Sequence, residues 1–315
     1  MARRVVFTIA AFTVLTSWRG ADSVVVAPPT ASASSPPAAG RVATQQAGTS
    51  ATAVRGSASP APAVTAPRGN APQAQPQITL PIPNSGFDYQ LGGAYPLPAG
   101  VTVVSRDRTD SAASGAYSIC YVNGFQTQPG ERAWWTAQHP SLVLRDGNGQ
   151  PLIDPDWPDE YILDISTAAK RDAIAAIVGT WIDGCAASGF EGIEIDSLDT
   201  YARFATRFSI GDAIALAQQY RARAHAAALA IAQKNATDMA AHRPETQFDF
   251  AVVEQCGRFG ECDVFANGYG NQVYDIEYQP PAFNTACVAF PQLSIVHGDT
   301  KLVVTSNPAY VREAC

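Results

Sequence analysis

The feature that most constrains the fold is an alternation of short apolar runs with stretches of helical period. Val101–Ser105, Tyr117–Val122, Tyr161–Ile165, Gly192–Asp196, Leu229–Lys234, Phe248–Glu254, Gln272–Tyr278 and Leu293–Val296 each read as a strand, and Leu302–Thr305 as an extra or final one. Helical periodicity falls between them. Ile174, Ile177, Val178, Trp181, Ile182 and Cys185 form one apolar stripe, which marks Trp181 as a core residue. Ser209 and Asp212 have the spacing of a capping box ahead of Ile214, Ala217, Tyr220 and Ala224. Strand and helix in alternation build a parallel sheet. Eight such strands predict a (β/α)8 TIM-type barrel. The connection Asp107–Gly115 is too short for a full helix, so the first repeat is expected to be degenerate.

Composition divides the chain of 315 residues. Residues 1–20 start with Arg3-Arg4 and an apolar run from Val5 to Leu15, the pattern of a signal peptide and too short for a membrane anchor. Residues 21–80 are rich in Ala, Pro, Ser and Thr and hold no aromatic residue, so they read as a disordered linker. Residues 81–315 are left as the barrel domain. All six cysteines lie there, and an even count behind a signal peptide implies disulfides, with Cys256–Cys262 the first pair expected. The same domain carries 15 of the 21 basic and 27 of the 28 acidic residues. Such a balance disfavours nucleic acid and suits a cationic substrate. A secreted monomer with no stable membrane insertion is expected.

Several apolar runs end in a carboxylate or another polar group: Asp164, Asp196, Lys234-Asn235, Glu254 and Glu277. A parallel barrel assembles its site at these strand ends. Asp196 on strand four and Glu254 on strand six lie one strand apart, so their carboxyls can meet at about 5 Å, the separation of a retaining glycosidase. Glu194 shares the side of Asp196 by strand alternation. Tyr121, Asn123, Asp164, Glu194, Asp199, Lys234, Asn235 and Glu277 are candidates for holding substrate, and Tyr121, Trp135, Trp157 and Tyr269 for stacking on sugar rings. There is no Cys-x-x-Cys, His cluster, dinucleotide fingerprint or Gly-x-Ser-x-Gly, so neither a metal nor a cofactor is called for.

The segments Phe87–Leu91, Ile119–Asn123, Ile162–Ser166, Gly189–Asp199, Leu229–Asn235, Phe248–Cys256, Glu261-Cys262 and Ile276–Tyr278 together resemble glycoside hydrolase family 114, the endo-α-1,4-polygalactosaminidases, over residues 85–315. The resemblance implies a barrel that hydrolyses α-1,4-linked galactosamine in an exopolysaccharide, with Asp196 and Glu254 as its acids. Likeness to other α-glycosidase barrels gives Asp196 as nucleophile and Glu254 as acid/base. The competing readings are a non-catalytic glycan-binding barrel and a glycosidase of different sugar specificity.

Overall fold

A computed structural model describes residues 77–315. The expected signal peptide and all but the last residues of the expected linker lie outside the described residues. Nine strands run in sequential order around one sheet: β1 (Gly86–Gln90), β2 (Val101–Asp107), β3 (Tyr117–Asn123), β4 (Gly192–Asp196), β5 (Ala230–Lys234), β6 (Phe250–Glu254), β7 (Val273–Glu277), β8 (Ser294–Gly298) and β9 (Arg312–Ala314). Neighbours β1 to β8 pair parallel, and β9 adds antiparallel to β8. The first and last strands then meet. Ser85 N–H donates to Ser294 Oγ at 2.9 Å, and Arg312 on β9 pairs with Asp88 at 3.1 Å and donates to the Phe87 carbonyl at 2.9 Å. The sheet is thereby nearly closed into a TIM-type barrel.

The helices are α1 (Arg132–Gln138), α2 (Ala168–Ala187), α3 (Thr200–Arg203), α4 (Ile210–Ala226), α5 (Arg243–Thr246), α6 (Cys256–Phe259), α7 (Cys262–Tyr269) and α8 (Pro280–Ala289). Both long helices fall where the sequence places them. The Thr167 side chain caps α2 by accepting from Lys170 N–H, and Ser209 and Asp212 close the expected capping box on α4. No helix separates β1 from β2 or β2 from β3, so the degenerate start covers two connections rather than one. Among the described residues, no helix is long and apolar enough to cross a membrane.

Strand alternation produces two separate cores. Inside the barrel pack Phe87, Tyr89, Val103, Tyr117, Ile119, Ala230, Ala232, Phe250, Val252, Tyr274, Ile276 and Val296. The other face of each strand, with Ile193, Ile195, Ala251 and Val253 among its residues, packs against the helices. Three disulfides tie the outer layer down: Cys120–Cys185 joins β3 to α2, Cys256–Cys262 joins α6 to α7, and Cys287–Cys315 fastens the last residue to α8. The local pair expected from spacing is present. Bridges of this kind stabilise mainly by restricting the unfolded chain.

Three expectations are corrected. Tyr161–Ile165 is not a barrel strand; Ile162 and Leu163 make isolated antiparallel bridges to Gln126 and Val143 in the long β3–β4 connection. Its apolar residues are buried against the outer layer, which gives a strand-like pattern without a place in the barrel. Gly86–Gln90, set among prolines and glycines, is the strand that takes the vacant count. Leu302–Thr305 forms no strand but an irregular segment that begins at a left-handed Leu302 (φ 50°), and the last strand among the described residues is Arg312–Ala314. Trp181 is only partly buried, packing at the rim of the outer core beside Trp135 with Arg108 stacked on it.

Candidate active site

The inward residues at the C-terminal strand ends are Tyr89 of β1, Ser105 of β2, Tyr121 of β3, Glu194 and Asp196 of β4, Lys234 of β5 and Glu254 of β6. Tyr278 follows in the same alternation just past β7. Lys234 stands at their centre. It is buried, and its Nζ lies 2.9 Å from Glu194, 3.3 Å from Glu254 and 3.6 Å from Asp196, while donating to Tyr89 Oη at 2.8 Å. Burial opposes its charge, but the three carboxylates outweigh that and hold its pKa well above the ordinary lysine value. A charged ammonium therefore sits between Asp196 and Glu254, contributed by the one strand that separates them.

Asp196 is built to stay ionised. Tyr121 Oη donates to its Oδ2 at 2.7 Å and Ser197 N–H donates to its Oδ1 at 2.7 Å. The left-handed conformation of Ser197 (φ 61°) turns the chain so that this amide faces back onto the carboxylate. Burial pushes the Asp196 carboxyl up, yet the Lys234 ammonium, Tyr121 and the Ser197 amide together bring it below the usual carboxylate value. Glu254 has a different environment. Asn235 clamps it at both ends, its side-chain amide donating to Glu254 Oε2 at 3.2 Å and its oxygen accepting from Glu254 N–H at 2.7 Å. Tyr278 Oη donates to the opposite oxygen, Oε1. Both carboxylates keep about a quarter of their side-chain surface open, 24% for Asp196 and 26% for Glu254, whereas Glu194 has none.

These groups form the floor of a cleft of ≈ 500 Å³. Its wall carries Asp107, Asp156, Glu160, Asp196, Asp199 and Glu254 against Arg203, Lys234 and Lys301. Two of those cations are already committed: Lys234 as above, and Arg203 to Asp154 and Asp199. Burial, reinforced by the Asp196 charge and partly offset by the Asn123 amide, pushes Glu160 up to about 7.

The structure sorts the sequence candidates. Tyr121, Asp196, Asp199, Lys234, Asn235 and Glu254 line the cleft, as does the exposed Trp157. Glu194 is beneath it, fully buried among Tyr89, Ser105 and Lys234, and supports the ammonium without reaching solvent. Asn123 is also buried, one step behind the wall, donating from Nδ2 to Glu160 Oε2 at 2.8 Å. Asp164 and Glu277 do not belong to the cleft. Asp164 faces outward, where it accepts from Ser166 and pairs with Lys170 at the start of α2. Glu277 has the outward parity of β7 and accepts from the Gly257 and Arg258 amides at the start of α6. Trp135 is a core residue and Tyr269 donates to Gln233 on the outer side of the barrel, so neither can stack on a ligand there.

Sequence reasoning missed Tyr89, Ser105, Glu160 and Tyr278. Alternation would have found Tyr278, two residues after the inward Ile276, and Tyr89, two after Phe87. Glu160 lies in the long β3–β4 connection, where no strand period fixes its direction.

The cleft floor thus holds two carboxylates on alternate barrel strands, and residues 68–315 match glycoside-hydrolase family GH114. The chain belongs to this family. It is accordingly a glycoside hydrolase. Among solved structures it is similar to Ega3 of Aspergillus fumigatus, determined in complex with galactosamine, with a TM-score of 0.60 and 22% identity over 78% of this chain and 100% of the other. It is also similar to the glycoside hydrolase domain of PelA from Pseudomonas aeruginosa, with a TM-score of 0.50 and 15% identity over 73% and 98%. These likenesses bear out the barrel. No curated protein sequence matches the chain.

Proposed function

We propose that this family 114 hydrolase is a secreted, endo-acting, retaining enzyme that cleaves α-1,4-galactosamine linkages in an exopolysaccharide. The observation that carries the mechanism is the Lys234 ammonium shared by Asp196 and Glu254 at 3.6 and 3.3 Å. Oxygens that share one ammonium at these distances lie no more than about 7 Å apart, short of most of the roughly 6.5–9.5 Å range that inverting enzymes keep open for water. Asp196, ionised and hydrogen-bonded through both oxygens, is the nucleophile.

In the first step an Asp196 oxygen bonds to the anomeric carbon, the bond to the leaving oxygen breaks, and the carboxyl proton of Glu254 moves to that oxygen. In the second, Glu254 takes a proton from water, whose oxygen attacks the same carbon and releases Asp196. Tyr278 and Asn235 keep Glu254 aimed while its protonation changes. The acid surplus of the cleft favours a substrate carrying free ammonium groups, and the complex of similarly folded Ega3 with galactosamine supports that sugar. An open cleft suits attack within a chain. Three disulfides fit an oxidising, extracellular setting.

The test is release of reducing ends from a de-N-acetylated α-1,4-galactosamine polymer and from its acetylated form. Wild type should cut the deacetylated polymer faster, and Asp196→Asn or Glu254→Gln should lower that rate on the order of 10³-fold. Either variant cutting at the wild-type rate would overturn the assignment.

A further inference from the structure

A second groove, of ≈ 830 Å³, also has Glu254 in its wall. It is continuous with the first cleft, sharing Trp157, Asp199, Asn235, Glu254 and Leu302 with it, but Asp196 lines only the first. Its own wall holds Tyr278, Phe259, Glu261 and Asp238. That division has a chemical meaning. A nucleophile needs to reach only the sugar whose anomeric carbon it attacks. The acid must touch the oxygen that joins that sugar to the next, so it stands at the border of two subsites.

Resting on the two-carboxylate reading above, we propose that the groove walled by Phe259 and Glu261 is the subsite for the leaving sugar. The glycan then lies with its non-reducing side over Asp196 and its reducing side over Phe259. The occupant is a further hexosamine unit of the same chain, with Phe259 stacking on its apolar face and Glu261 and Asp238 meeting its amine.

Phe259 has the features of a contact residue. It is 59% exposed, although aromatic rings of this size are ordinarily buried. The backbone around it is tied at several points. The Cys256–Cys262 bridge closes the α6 turn, Glu277 accepts from the amides of Gly257 and Arg258, and the Arg258 guanidinium lies 5.2 Å from the ring centroid. Gly257 is required there, because a Cβ would stand 2.7 Å from Ala286 Cβ and 2.9 Å from Glu277 Oε1. An outward glutamate thus holds the platform without touching sugar.

The experiment uses the full chain and an α-galactosaminyl fluoride, whose leaving group occupies no sugar subsite. The glycosyl-enzyme it forms is partitioned between water and an added α-1,4-galactosamine disaccharide, and the ratio of transfer to hydrolysis is measured. Phe259→Ala should lower that ratio about tenfold and Phe259→Tyr should restore it, because only a sugar seated on the leaving side intercepts the intermediate. Val288→Ser, on the exposed back of α8, should leave the ratio and the fluoride rate at wild-type values and control for handling. An unchanged ratio in Phe259→Ala would overturn the proposal, as would equal losses of ratio and fluoride rate traced to a lowered melting temperature. A wild-type enzyme that consumes neither fluoride nor polymer would instead overturn the underlying mechanism, and this orientation with it.

Discussion

Strands β6 and β7 lie side by side and each ends on a glutamate, yet the two acids have unrelated fates. Glu254 follows Phe250 and Val252 on the inward parity and reaches the floor of the cleft. Glu277 follows Val273 and Asp275 on the outward parity and reaches the start of α6. A one-residue difference in phase moves a side chain to the other face of the sheet. An acid at a strand end is therefore informative only once the parity of its strand is known. The tyrosine beyond β7 makes the point again: Tyr278, inward, holds the Glu254 carboxylate, while the adjacent Glu277 holds a helix.

The comparison can be broken by exchanging the two acids for amides. Glu254→Gln should lose on the order of 10³-fold in polymer cleavage, whereas Glu277→Gln should stay within a few-fold of wild type, both read as reducing ends released. Comparable losses would mean that parity does not separate them. Lys234 marks the inward side from below. Lys234→Met should cost about 3–5 kcal/mol of stability in denaturant titration, since it leaves Glu194 buried without its cation, and should also lower activity at least a hundredfold. Tyr278→Phe removes one hydrogen bond from the Glu254 carboxyl and should lower kcat about tenfold, with a loss of stability of about 1 kcal/mol in denaturant titration.

The outward side has its own signature in pH. Burial, with the neighbouring Glu277, raises the Asp275 pKa well above its ordinary value, so its neutral form is favoured in the fold. A carboxyl raised in this way supports the folded state at low pH and weakens it as pH climbs from the unfolded pKa through the folded one. Asp275→Asn removes that decline, so its melting temperature relative to wild type should increase from pH 4 to pH 8. The smallest effect is expected at Glu160, which loses its proton at about 7. Glu160→Gln should raise the KM for the cationic polymer several-fold more at pH 8 than at pH 5.5, because only the ionised carboxylate attracts an ammonium.

Much of the fold is legible from period alone. Apolar alternation located seven of the eight parallel strands, an apolar stripe located α2 and a capping box α4, and the strand-end rule brought Asp196, Lys234, Asn235 and Glu254 together. The count of strands came out right for compensating reasons. Gly86–Gln90, flanked by turn residues and carrying Asp88 and Gln90, shows little strand signal, and the buried loop Tyr161–Ile165 carries a false one. Numbering Asp196 on strand four and Glu254 on strand six survives because one replaces the other. Residues whose direction depends on tertiary packing stayed hidden. Asp164 belongs to that false strand and caps a turn instead, while Glu160 is brought to the cleft by the long connection after β3, through its bond from Asn123.

The central claim is that Asp196 attacks and Glu254 protonates across a shared lysine. Its most direct test is peptide mapping by mass spectrometry after Glu254→Gln has reacted with α-galactosaminyl fluoride, a substrate that needs no acid to leave but whose glycosyl-enzyme then lacks its base. The account predicts a galactosaminyl adduct on Asp196. An adduct on another carboxylate, or no adduct and a β-configured first product, would contradict it.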